Sequence, residues 1–298
     1  MKFRTEFMPE RSSLTLSPEK PVVLAGSCFS QNISAKMNSS LWKATNPLGT
    51  LYNPYSICAA IDLMLDEEEG ARRFEESLFE FNGIWNSRYF DSSFSAIDKE
   101  DCKKEFINRQ KEFLENISAG EILIVTFGTS ICYHLQQSDE IVGNCHKQPS
   151  GIFYRKRMTT EEIKKCWDFL IVKLKGRFPG IKIIFTVSPV RHLKDGFEGN
   201  SRSKAILLLS VEEICLSHKD CHYFPAYELL MDDLRDYRFY ASDLVHPSEE
   251  GIEYVWEIFQ NVFLDERGRQ LIREGNKKSR ASLHRPKTGA MGKPLAEG

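Results

Sequence analysis

Pro21-Val22-Val23-Leu24-Ala25-Gly26-Ser27-Cys28-Phe29-Ser30 is the stretch on which the fold turns. Its apolar run is unbroken from Pro21 to Ala25 and stops at Gly26. A strand with one wet face alternates apolar and polar residues. An unbroken run reads instead as a strand buried on both faces, the habit of parallel sheets covered by helices. Past Ser27 the period changes: Phe29, Ile33 and Met37 recur at helical spacing and predict a helix that opens at Cys28.

The pattern repeats along the chain. Residues 121–127 form a run stopped by Gly128, residues 181–187 one stopped by Ser188-Pro189, and the weaker run 221–224 ends at Pro225. Helices are predicted between and after them. Residues 161–175 carry Ile163, Cys166, Phe169, Leu170 and Leu174 as a stripe, and 203–217 carry Ile206, Leu207, Leu209, Val211, Ile214 and Cys215. Residues 248–263 carry Ile252, Val255, Trp256, Phe259, Val262 and Phe263, with Pro247 at the first turn. Residues 60–114 are charged and helical in tendency, interrupted by a polar aromatic stretch at 81–94. Single short strands alternating with helices predict one α/β domain with a mostly parallel sheet, helices on both faces. The expected boundaries are an amino-terminal arm at 1–17, the domain at 18–264, and a flexible basic tail at 265–298.

Composition narrows the function. At 298 residues, 41% hydrophobic and 28% charged, the chain is neither mostly disordered nor fibrous. Forty Lys and Arg against 42 Asp and Glu leave a net charge of −2, which argues against a dedicated nucleic-acid binder. No apolar run approaches the ~18 residues of a membrane span, and MKFRTEFMPERSS resembles no signal peptide, so a cytoplasmic location and no membrane partner are expected. The eight cysteines are scattered, without a CxxC pair, and all but one read as reduced apolar fillers. The Cys145-His146 pair lacks a second pair at zinc spacing, and neither Gly26 nor Gly128 belongs to a phosphate-binding glycine pattern. No metal and no cofactor are expected.

Ligands of open α/β sheets bind at the carboxyl ends of the strands. There stand Gly26-Ser27-Cys28, Gly128-Thr129-Ser130 and Ser188-Pro189-Val190-Arg191-His192, and before the last helix comes Asp243-Leu244-Val245-His246. A Ser/Cys turn with an Asp-x-x-His supplies a nucleophile, a base and an orienting carboxylate. Cys28 sits where a helix N-terminus stabilises a thiolate; its other reading is a structural cysteine at a tight turn. Ser27 is either the nucleophile or a helix N-cap. Asp243 and His246 either pair for catalysis or cap the following helix. Arg191, His192 and Lys147 are candidates for an anionic substrate.

The Gly26-Ser27-Cys28-Phe29-Ser30 turn resembles the signature of the GSCFA-domain family, a bacterial family similar to the SGNH (GDSL-type) hydrolases. The resemblance runs roughly from Met1 to Phe263. It extends to residues 46–54, Asn144-Cys145-His146-Lys147, residues 186–192, and Asp236-Tyr237-Arg238-Phe239-Tyr240 leading into the Asp-x-x-His. It implies a three-layer, flavodoxin-like α/β sandwich and, by analogy, hydrolase or acyl-transfer chemistry. Laid on the SGNH blocks, Cys28 takes the nucleophile's place, Ser27 that of an aspartate, Gly49 that of an oxyanion-holding glycine, and Asp243 and His246 their own. The block that should read Gly-x-Asn reads Gly128-Thr129-Ser130, so Ser130 stands where an oxyanion asparagine belongs, with Asn53 or Asn144 as substitutes. The expected function is an esterase or acyltransferase acting on a small-molecule or glycan ester, with an acyl-thioester as a possible donor. Its alternative is a binding module that keeps the fold and the cleft without catalysis.

Overall fold

The structure is a computed structural model that describes residues 5–283. The chain runs β1 (Val22–Gly26), α1 (Cys28–Ser39), β2 (Ala44–Thr45), α2 (Pro54–Leu65), α3 (Glu67–Glu76), the hairpin β3 (Leu78–Phe81) and β4 (Ile84–Ser87), and α4 (Lys99–Gly120). It continues with β5 (Ile122–Phe127), β6 (Ile131–Leu135), β7 (Ile141–Val142), β8 (Phe153–Arg157), α5 (Thr160–Arg177), β9 (Lys182–Val187) and α6 (Gly196–Ser217). Then follow β10 (Cys221–Phe224), the short α7 (Ala226–Glu228), α8 (Glu249–Phe263) and α9 (Glu266–Leu283).

The central sheet has the order β10-β9-β5-β1-β2, all parallel. Strands β1 and β5 are buried from end to end, and β9 from Ile183 onward, as their apolar runs predict. Alternate residues of β1 face opposite ways. Val22 and Leu24 join Phe29, Met37, Trp256 and Phe259 from α1 and α8 in one core. Val23 and Ala25 join the other core, built from α2, α4, α5 and α6. Helices therefore cover both faces. None of the described helices is long and apolar enough to cross a membrane.

Several local readings change in the structure. The aromatic stretch 81–94 begins in a hairpin, in which Asn82 (φ 54°) and Gly83 (φ 75°) make the two-residue turn between β3 and β4, and ends in a 3-10 turn at Ser92–Phe94. On α5 the buried stripe is Ile163, Trp167, Leu170, Ile171 and Leu174, while Phe169 is 66% exposed. Helix α6 begins at Gly196 rather than near Ser203. Pro247 precedes the Ser248 N-cap of α8 and so lies outside its first turn. The expectation of a flexible tail from Asp265 is corrected for residues 266–283, which form α9: Ile272 is buried in the α1–α8 core, and Ser40 Oγ donates to Asn276 Oδ1 at 2.9 Å. The rest of the expected tail, 284–298, lies outside the described residues.

Candidate active site

The loops that leave the carboxyl ends of β1, β5 and β9 meet the loop before α8 around a cavity of about 470 Å³. Cys28, Asn53, Asn144, Arg191, His192 and His246 all line it. Residues separated by more than two hundred positions are thereby brought to one wall.

Cys28 is the first residue of α1 and half-buried. Burial pushes its thiol above the ordinary value; the backbone N–H groups of Phe29 and of Cys28 itself pull it down, as does Lys204, while Asp243 adds to the rise. The helix N-terminus thus acts in the expected direction but loses to desolvation. The resting group is a thiol. Ser27 holds the N-cap position without capping: it is fully buried, and its Oγ has no hydrogen-bond partner.

Asp243 and His246 form the expected pair, with Nδ1 lying 2.6 Å from Oδ2. Asp243 Oδ1 also accepts the backbone N–H groups of Val245 and His246, each at 2.9 Å. These backbone bonds first, and the imidazole next, hold the Asp243 carboxyl down at about 2. The tight turn needs Leu244 at φ 58°. With Nδ1 taken by the carboxylate, Nε2 is the nitrogen left for chemistry. Among the described residues no hydrogen bond joins it to Cys28 Sγ or Ser27 Oγ.

Behind the cavity lies a lysine that sequence reasoning missed. Lys204 is 1% exposed, and its Nζ donates to the carbonyls of Gly128 and Ser188, both at 2.6 Å. Burial lowers its ammonium to about 7, with Cys28 acting the other way. A neutral amine still carries two N–H donors, so both bonds survive loss of the proton. The available signal was its spacing: Lys204, Leu207, Val211 and Ile214 share the buried stripe of α6. A lysine among apolar positions is rarely there for packing. His192 responds to it. Burial and then the Lys204 charge drive that imidazole down to about 4, leaving it neutral, and its buried Nε2 has no partner. His192 is held by a bond from its backbone N–H to Asn200 Oδ1 at 2.9 Å and by an edge contact with Tyr52 at 5.6 Å.

The candidate oxyanion groups separate. Gly49 does not line the cavity: it makes a turn at φ 70°, and an added Cβ would strike the Asp91 carboxylate. Ser130 is buried and tied to Ser203, its N–H donating at 2.7 Å and its Oγ at 3.1 Å. The Gly128 and Thr129 N–H groups are spent on Tyr52 O, at 2.7 and 3.0 Å. Asn53 and Asn144 remain. Asn53, the N-cap of α2, has Oδ1 pinned by the Ser56 N–H at 2.8 Å. Asn144 Oδ1 accepts the His146 N–H at 2.8 Å. Each therefore keeps its Nδ2 donors for the cavity.

The cavity is basic on one side. Arg191 stacks 4.9 Å over Tyr240 and 5.6 Å over Tyr237, and among the described residues no carboxylate pairs with it. Lys194 donates to Tyr133 Oη at 2.7 Å. Arg155, by contrast, is neutralised by Asp195 at 2.6 Å. Lys147, expected beside them, does not line the cavity. Among the described residues no group of three or more His, Cys, Asp or Glu side chains is arranged to hold a metal ion. Such a wall can bind an anionic acyl compound next to a thiol and an oriented imidazole.

The GSCFA family matches residues 21–259. No curated protein matches the chain. Among solved structures, a protein described as a "putative platelet activating factor" from Streptococcus pneumonia aligns at 9% identity and a TM-score of 0.39, over 81% of this chain and 83% of its own.

Proposed function

The chain belongs to the GSCFA family, and from that premise we propose that it is an SGNH-like esterase or acyltransferase using Cys28 as nucleophile and His246–Asp243 as base and orienter. The observation that carries the reading is that Cys28 and the Asp243-paired His246 open onto one cavity at the carboxyl ends of the parallel strands. A parallel sheet with helices on both faces fits the three-layer, flavodoxin-like sandwich that the motif resemblance implies. Because the resting group is a thiol, His246 Nε2 takes its proton as Sγ bonds to the acyl carbon. That step needs His246, half-exposed on its loop, to swing onto Sγ when substrate binds. The oxyanion is received by Asn53 Nδ2 and the N–H groups opening α1. The imidazolium then gives its proton to the leaving alcohol. Water or an acceptor group resolves the thioester. Arg191 and Lys194 favour an anionic small-molecule or glycan ester, or an acyl-thioester donor. Eight free thiols suit the reducing cytoplasm.

Specific observations favour a second reading, a binding module without catalysis. The Cys28 thiol is raised, it makes no bond to His246, and the Gly128 and Thr129 N–H groups are already used. Hydrolysis of activated short-chain acyl esters, with acyl transfer from a thioester alongside, separates the two. Cys28→Ala and His246→Ala should each abolish turnover, and the double variant should lose little more. Absence of turnover in the parent would leave only the binding module, and parent-like rates in both single variants would take Cys28 and His246 out of the mechanism.

A further inference from the structure

A second cleft lies on the far side of the β6–β8 sheet. The two faces of that sheet divide the space: Ile131, Tyr133 and Arg155 line the cavity of Cys28, whereas His134 and Lys156 line the second cleft, which Arg157 also reaches from the end of β8, where the alternation stops. The cleft is about 530 Å³, within the ~300–1,000 Å³ of small-molecule sites. Two helices wall it. Helix α2 presents Tyr55, Cys58, Ala59 and Asp62, and α5 presents Glu162, Lys165, Cys166 and Phe169. Both sets follow the i, i+3, i+4, i+7 spacing of a single helix face. Phe169, the residue that leaves the buried stripe of α5, stands at this lip.

The polar groups around the cleft are not equivalent. Asp62 is matched by Lys173 at 2.5 Å and Arg73 at 2.9 Å. Glu162 closes the Thr159 capping box and lies 3.5 Å from Lys156. His134 is paired with Asp139 at 2.8 Å. Arg157 and Lys165 make no ion pair or side-chain hydrogen bond among the described residues. The acids are compensated and two cations are free. No buried side-chain donor or acceptor in the floor lacks a partner, so nothing there would satisfy the backbone of a peptide. An alkyl chain makes no such demand.

We infer that this cleft binds a soluble amphiphile with an alkyl body and an anionic head, the chain lying between α2 and α5 and the head meeting Arg157 and Lys165. The inference is independent of any chemistry at Cys28. Decanoate is the probe, with decyltrimethylammonium as its cationic counterpart. Two readouts are used: titration calorimetry, and protection of the half-buried Cys166 thiol from iodoacetamide, read by peptide mass spectrometry. Decanoate should bind saturably and protect Cys166, in the parent and in Cys28→Ala alike. The doubly charge-reversed Arg157→Glu/Lys165→Glu protein should bind it about tenfold more weakly or worse. Phe169→Ser, at an exposed position that spares the core, should also weaken binding. Absence of saturable binding, equal binding of the cationic amphiphile, or binding without protection of Cys166 would each overturn the assignment. Engagement of anionic phospholipid vesicles, or of an acidic amphipathic peptide, without decanoate binding would replace it with a docking surface.

Discussion

Lys204 Nζ donates to the carbonyl oxygen of Gly128 at 2.6 Å from a position that is 1% exposed. The main-chain ladder between β5 and β9 ends just below, with Ser188 N–H donating to Phe127 O at 2.8 Å. Lys204 continues that cross-connection where the backbones separate, and so holds the two loops that form the cavity wall in register. The clamp lies next to both Cys28 and His192, whose protonation it biases.

The clamp predicts a pH dependence. Unfolded, Lys204 titrates near its ordinary 10.5; folded, near about 7. Between these values the unfolded chain holds more protons, so stability rises with pH through the window and is flat, for this group, below about 7. Buried thiols and phenols raised above 9.0 and 10.0 give the opposite slope in more alkaline solution, so the clean interval runs from pH 7 to about 8.5. Urea unfolding across it should show a slope of up to ~1.4 kcal/mol per pH unit that Lys204→Met removes. Equal slopes in parent and variant would refute the clamp's titration.

Ser27→Ala should behave unlike an ordinary N-cap substitution. Losing a working cap costs ~0.5–2 kcal/mol. The Ser27 hydroxyl makes no cap bond and is buried without a partner, so its removal should leave stability unchanged or raise it by up to ~1 kcal/mol. Chemical denaturation of the variant decides. A loss above ~1 kcal/mol would mean that the hydroxyl is bonded in solution.

Helix α9 docks through a glycine. A Cβ on Gly275 would stand 1.9 Å from Ser40 O at the end of α1. Gly275→Val should either destabilise the protein by ~1–3 kcal/mol or free α9, seen as faster proteolysis after Asp265. Parent-like melting together with parent-like proteolysis would show that α9 does not rest on α1.

The central sheet was legible because its strands are buried on both faces, and burial writes an unbroken apolar run. Helix phase was less legible. On α5, Cys166 and Phe169 are as apolar as Trp167 and Ile171, so hydropathy cannot tell the core stripe from the cleft beside it. The hairpin had a signal in Asn82-Gly83 that its polar surroundings obscured. At the site, Asp243 and His246 were readable because they bond within one turn. Lys204 was not, since its partners are carbonyls, which every residue carries. The aligned motifs point to Gly49 and Ser130, and neither lines the cavity.

The outermost strands of the central sheet are short. β2 offers only Ala44–Thr45, and β10 only Cys221–Phe224 before Pro225, which has no N–H to extend a ladder. A neighbouring chain approaching either border finds too little unpaired backbone to add a strand of its own. The hydrophobic middle strands, the sequences most able to template aggregates, are each flanked by a partner on both sides. Crowded or freshly synthesised copies are thereby kept apart at the borders of this sheet without charged residues having to guard them.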